Sequence, residues 1–198
     1  MNNDVWFRPL VWIDYRLAVL FMVIFPLLLL SWAFFQKAEA IQRLLIIYWR
    51  VSSLLLITLY LMIGGFGIAF LSSWIARLLI PLELWFWVDL NEEIEYYPNS
   101  LLKVIFTSWR WAVSTYCLFG LVAFLPFLSC AFSKDSITTA YCGVWLEAPL
   151  MFKEYFHSNV DKPESLGILG ILGLITYVVY LGYFILFKLG KKRRSALQ

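Results

Sequence analysis

The 198-residue chain is 62% hydrophobic and 19% aromatic, with 15% charged residues and a formal net charge of +3. Soluble domains carry about 25% charged residues, so this composition excludes a water-soluble globule. It also lacks the basic stripe interleaved with aromatics that nucleic-acid binding requires, and a single histidine and three cysteines leave too few ligands for a four-ligand zinc site or a bis-histidine haem.

The amino-terminal Met1–Tyr15 mixes Asp4, Arg8, Pro9 and Asp14 with Trp6, Phe7 and Trp12, which suits an interfacial segment. The apolar run that follows, Leu17–Phe35, ends in bulky residues where a signal peptide needs small ones, so it is expected to stay in the protein. Three more charge-free stretches follow at Val51–Ala76, Trp111–Ser133 and Leu166–Phe187. At about 1.5 Å per residue, roughly 20 apolar residues cross a hydrocarbon core of ~30 Å. The expectation is an all-α integral membrane bundle in one domain, with four transmembrane helices over about 17–35, 51–71, 111–132 and 166–187 plus interfacial amphipathic helices.

Between the spans, Gln36–Arg43 reads as the short link of a helical hairpin. Arg77–Leu90 is apolar but carries Arg77, Pro81, Glu83 and Asp89, and is expected in the interface plane or as a re-entrant piece. An acidic turn, Asp89 to Glu95, precedes Asn99 and Ser100, either of which can cap the next helix. The turn lacks a calcium-loop pattern and reads as solvated surface. Lys134–Ser165, rich in aromatics, is expected along the membrane surface. With four spans, Arg8, Arg16, Arg77, Lys103, Arg110 and the tail cations share one side, and the positive-inside rule puts both termini in the cytoplasm. If Arg77–Leu90 crosses, the amino terminus moves outside.

No catalytic constellation stands out. Glu147, Glu154 and His157 are acid–base candidates without a nucleophile motif, so no enzyme activity and no metal site are expected. Cys117 and Cys130 read as apolar fillers, with a Cys130–Cys142 bridge left open for a loop in an oxidising compartment. Arg16, Arg50 and Arg110 sit beside aromatic residues as lipid and topology anchors, as do the tail cations Lys191, Lys192, Arg193 and Arg194. Gly64, Gly65 and Gly67 in the second run, and Gly167, Gly170 and Gly173 in the fourth, let helices approach closely. They pack within the chain or form a docking face for another membrane protein or a flat pigment. None of the four runs has an ionisable residue near its centre, which counts against a pump or charged-substrate transporter.

The segments Trp6-Phe7-Arg8-Pro9-Leu10-Val11-Trp12-Ile13-Asp14-Tyr15-Arg16 and Trp85-Phe86-Trp87-Val88-Asp89-Leu90-Asn91-Glu92-Glu93 resemble a family of cyanobacterial multi-pass membrane proteins of about 200 residues, known as a domain of unknown function. The resemblance implies a thylakoid or plasma membrane and an accessory role around photosynthetic complexes, and supplies no functional residues. The expected function is a non-catalytic accessory or assembly factor for a larger membrane complex such as a photosystem. No cofactor is required, and chlorophyll or carotenoid at a protein contact is compatible with the glycine faces. The alternative is a small transporter or channel with an uncharged pathway.

Overall fold

A computed structural model describes residues 5–132 and 135–189, all in helices, turns and short connections, with no strand among them. Among the described residues, five helices are long and apolar enough to cross a membrane: α1 (Arg8–Phe35), α2 (Glu39–Ile63), α3 (Ile68–Phe86), α5 (Leu101–Ala131) and α7 (Pro163–Phe187). Of the shorter helices, α4 (Val88–Tyr96) lies between α3 and α5 and α6 (Glu147–Phe156) before α7. The chain is a helical membrane protein.

The second apolar run does not form one span. It breaks at Gly64–Gly67, where Gly65 takes a φ of 69° that residues with a Cβ rarely adopt. The residues after the break fold back as α3, and Thr58 meets Ser72 across the hairpin at 2.7 Å. The 19 residues of α3, at about 1.5 Å each, span roughly 28 Å. Its charges hid it in the sequence, yet Arg77 and Glu83 are both buried, and α3 meets the exterior through residues such as Ile68 and Leu82. The number of spanning-length helices among the described residues is therefore five, and the chain enters α1 and leaves α7 at opposite ends of the bundle.

α1 is not a uniform helix. Val19–Ile24 widens into a π turn just before Pro26, the kind of local adjustment that accompanies a proline in a long helix. Pro26 has no N–H, which deprives the Met22 carbonyl four residues back and the Phe21 carbonyl five back. Neighbouring helices supply the donors: the Tyr48 hydroxyl from α2 donates to Met22 at 2.6 Å, and the Trp109 indole N–H from α5 donates to Phe21 at 2.8 Å. In a membrane, where water cannot serve freed carbonyls, this satisfies the proline break and fixes how α1 sits on its neighbours.

α2 is the central helix, packed against α1, α3 and α7. Its contact with α7 uses glycine: a Cβ on Gly167 would lie 2.7 Å from the Gly64 Cα, one on Gly170 2.9 Å from the Leu61 nitrogen, and one on Gly173 3.2 Å from Ile57. At the turn end, a Cβ on Gly67 would lie 3.0 Å from the carbonyl oxygens of Cys130 and Ala131. These glycines are spent on packing within the chain. Of the proposed docking set only Gly65 faces open space, and there glycine answers to the turn.

The α2–α3 turn, the start of α1, the end of α5 and the segment through α6 gather at one end of the bundle. Cys130 and Cys142 form a disulfide there, with Cα atoms 6.0 Å apart, while Cys117 is free and buried. We call this the disulfide end. α4 and the end of α7 lie at the opposite end, where the Trp87 and Phe184 rings meet. Ser100 caps α5 by accepting from the Lys103 N–H at 3.2 Å, and the Lys103 ammonium donates to the carbonyls of Glu95 and Tyr97 to hold the turn before it.

Candidate functional site

Three helices converge on a charged cluster inside the bundle. Arg77 lies midway along α3, and its guanidinium grips the Asp14 carboxylate of α1 with two hydrogen bonds, Nη1 to Oδ1 at 3.2 Å and Nη2 to Oδ2. The Tyr116 hydroxyl of α5 donates to Asp14 Oδ1 at 2.6 Å. The guanidinium also lies over the Tyr116 and Phe124 rings, 5.6 Å from each centroid. Such a fork is the geometry in which arginine and carboxylate match two-to-two, and here it joins α1, α3 and α5. Space for it comes from Gly120: a Cβ there would lie 2.1 Å from Arg77 Nη1.

Above this pair is a cavity of about 430 Å³. It runs from Trp6, Phe7 and Tyr141 at the disulfide end, past Phe127 and Trp145, to Asp14 and Arg77 at its floor. Aromatic walls over a polar floor suit a small amphipathic molecule. α6 helps frame the opening. Glu147 accepts hydrogen bonds from Arg8 Nε at 2.9 Å and from the Trp12 indole at 3.0 Å, and the Tyr15 hydroxyl donates to the Trp145 carbonyl at 2.7 Å. Glu147 thus tethers α6 to α1, Glu154 is exposed, and His157 meets the Tyr60 hydroxyl at 3.2 Å. The three acid–base candidates do not form one site.

A second charged cluster lies toward the opposite end. Arg110, expected at the head groups, is only 4% exposed. Its Nη2 donates to the Leu84 carbonyl at 2.9 Å and to Asn91 Oδ1 at 2.7 Å, and its guanidinium stacks 4.2 Å above the Trp85 ring. The correction has a physical cause. α3 ends at Phe86, so the Leu84 carbonyl lacks a helical partner, and Arg110 caps it while Trp85, held by Ser114 at 2.9 Å, covers the charge. Arg16 and Arg50 are exposed, but α2 runs from Glu39 to Ile63, so Arg50 falls midway along a spanning helix and not at the start of a span where the sequence placed it; Lys191, Lys192, Arg193 and Arg194 lie outside the described residues.

Glu83 is a different case. It is buried, yet neither carboxylate oxygen has a hydrogen-bond partner. It lines a groove of about 420 Å³ bounded by α2, α3 and α7. No group of three or more His, Cys, Asp or Glu side chains gathers as a metal site among the described residues.

Asp14, Arg77, Glu83 and Tyr116 were not singled out as site residues from the sequence. The signal was the stretch from Ile68 to Phe86, which is long enough to cross a membrane with only two charges in it. An ionisable residue in such a helix points to the bundle interior and to a partner.

None of the curated proteins and none of the solved structures matches the chain. Residues 8–197, nearly its whole length, match the family described as protein of unknown function DUF3177, and the chain belongs to that family.

Proposed function

We propose that the protein is a small membrane carrier that takes an amphipathic solute into the aromatic cavity above the Asp14–Arg77 pair and acts by binding, without chemistry on the solute. The observation that carries this reading is Arg77, a charge midway along a spanning helix that lines a cavity. Buried ionisable groups in membrane helices are costly and mark substrate or ion pathways. The pathway is charged, in place of the uncharged one expected while Arg77–Leu90 was read as interfacial.

Proteoliposomes containing the full chain, offered small aromatic carboxylates and amines, test it. Uptake above empty vesicles is expected for at least one compound, with loss in Arg77→Gln and in Gly120→Ala. The second variant keeps both charges and removes only the space for their pairing. Uptake equal to empty vesicles across the set, with no change in thermal stability on adding any compound, would overturn the carrier.

A second reading is a non-catalytic accessory or assembly factor of a larger membrane complex, in a thylakoid or plasma membrane and around a photosystem, with chlorophyll or carotenoid at the contact. The outer position of α7 favours it: 11% of its most apolar stretch is buried, against 44% for α3. Mild-detergent pull-down from the native membrane separates the two, since stoichiometric photosystem subunits with pigment support the accessory role and a colourless protein without partners supports the carrier.

For orientation, two features agree. By sequence order, five crossings put the segments that carry Lys37, Arg43, Lys103 and the tail cations on one side and those that carry Arg8, Arg16, Lys153 and Lys162 on the other. The positive-inside rule then puts the α4 end in the cytoplasm. The disulfide falls at the other end, which suits an oxidising compartment. The amino terminus then faces outside.

A further inference from the structure

We propose that the aromatic cavity takes a protonated amine on an apolar body, with an ammonium N–H on Asp14; this rests on the reading of that cavity as the solute site. Two charges meet at its floor, and they are not equally available. The Asp14 side chain is 21% exposed and the Arg77 side chain 7%. Arg77 spends its charge on the fork to Asp14 and lies over the Tyr116 and Phe124 rings. Asp14 keeps capacity in reserve. A carboxylate offers about four lone-pair sites. Oδ1 takes Arg77 Nη1 and the Tyr116 hydroxyl, while Oδ2 takes only Arg77 Nη2 among the described residues. The open site at the floor is therefore an acceptor on a carboxylate, and a donor completes it.

The walls select in the same direction. Phe7, Phe124, Phe127, Tyr141 and Trp145 line the cavity. They pack edge to face as one set, with ring centroids 5.4 Å apart for Phe7 and Tyr141, 5.1 Å for Phe127 and Trp145 and 4.8 Å for Phe124 and Trp145. Aromatic faces carry the negative side of the ring quadrupole and attract ammonium groups, most strongly where water is excluded. A carboxylate solute meets the reverse. It brings a like charge to Asp14 and to the ring faces, and it must break the fork to reach Arg77. At the opening, Arg8 is matched by Glu147 at 2.9 Å and does not recruit anions.

Three probes of similar body separate the possibilities: phenethylamine, which is protonated at neutral pH, 2-phenylethanol and 3-phenylpropionate. Binding to the full chain in phosphatidylcholine nanodiscs is measured by calorimetry, with empty nanodiscs subtracted. Phenethylamine is expected to bind about tenfold tighter than the alcohol, the effect of one charge-assisted hydrogen bond. The propionate should bind no tighter than the alcohol. Asp14→Asn combined with Arg77→Leu leaves neither member of the pair as a stranded charge and should erase the preference for the amine. Tyr141→Leu, at the partly exposed mouth, should weaken the amine more than the alcohol. Equal affinity for the three probes, tightest binding of the propionate, or a preference that survives in the double variant would overturn the amine site and leave the carrier standing. The expected order of binding without uptake into proteoliposomes would uphold the amine site and overturn the carrier. Binding of none of the probes would overturn both.

Discussion

The two charged regions of this bundle differ in how completely they are closed. Around Arg77, the fork to Asp14 and the Tyr116 hydroxyl close a network across three helices. Around Glu83, both carboxylate oxygens are buried without a hydrogen-bond partner, as is the Trp87 indole N–H. The comparison teaches what to ask of a buried charge in a membrane. A closed network holds helices in register, and its adjoining cavity has a polar floor already set. An open one leaves a buried carboxylate with no partner to lose.

Breaking the closed network should have the largest effect. Arg77→Leu leaves the Asp14 carboxylate without its main partner, and stranding one member of a buried pair costs about 3–5 kcal/mol. Asp14 is partly exposed at the cavity floor, so the lower end of that range is expected. Thermal unfolding in detergent measures it, and Arg77→Leu combined with Asp14→Asn should recover much of the loss. If the single variant unfolds like wild type, the pair does not hold the bundle.

Next comes the α2–α7 seam. Gly170→Leu drives a side chain against the Leu61 backbone and should cost about 1–3 kcal/mol by overpacking. Gly182→Leu, where a Cβ meets open space, should be near neutral. Equal effects would mean that the glycines do not form the seam.

A smaller loss is expected at the proline break. Tyr48→Phe removes the donor to the Met22 carbonyl and should cost about 1–2 kcal/mol. In a Pro26→Ala background, where the helix supplies its own N–H, the same change should cost less. A double-mutant cycle by thermal unfolding reads the difference, and additive effects would contradict the repair.

Smallest of all, Glu83→Leu in phosphatidylcholine alone should leave stability unchanged or raise it, because the carboxylate has no partner to lose. The same thermal unfolding checks it, and a marked loss would place Glu83 in a closed network too.

Much of the architecture was legible from hydrophobic runs, because membrane helices announce themselves by length and apolarity. α1, α5 and α7 occupy the runs that predicted them, and Ser100 caps α5 as its place in the sequence suggested. α3 was not legible, since a run interrupted by Arg77, Pro81 and Glu83 resembles an interfacial segment until its charges are known to face inward. Missing α3 hid Arg77 and Glu83 directly, and left Asp14 looking like an interfacial residue when it is a partner. Arg110 was misplaced for a related reason: stacking on Trp85 inside a protein and sitting beside tryptophans at head groups leave the same pattern in sequence. The glycines were read correctly as sites of close approach, but sequence spacing does not say whether the neighbour is α2 or another protein.

The central claim is that α3 crosses the membrane and carries Arg77 to Asp14. It is tested most directly by labelling single cysteines at the exposed positions Gln36, Glu92 and Asp161 with a membrane-impermeant maleimide from one face. The account predicts that Gln36→Cys and Glu92→Cys react from the same face and Asp161→Cys from the opposite one. Labelling of Gln36→Cys together with Asp161→Cys, with Glu92→Cys on the other face, would show that α3 does not cross and would contradict it.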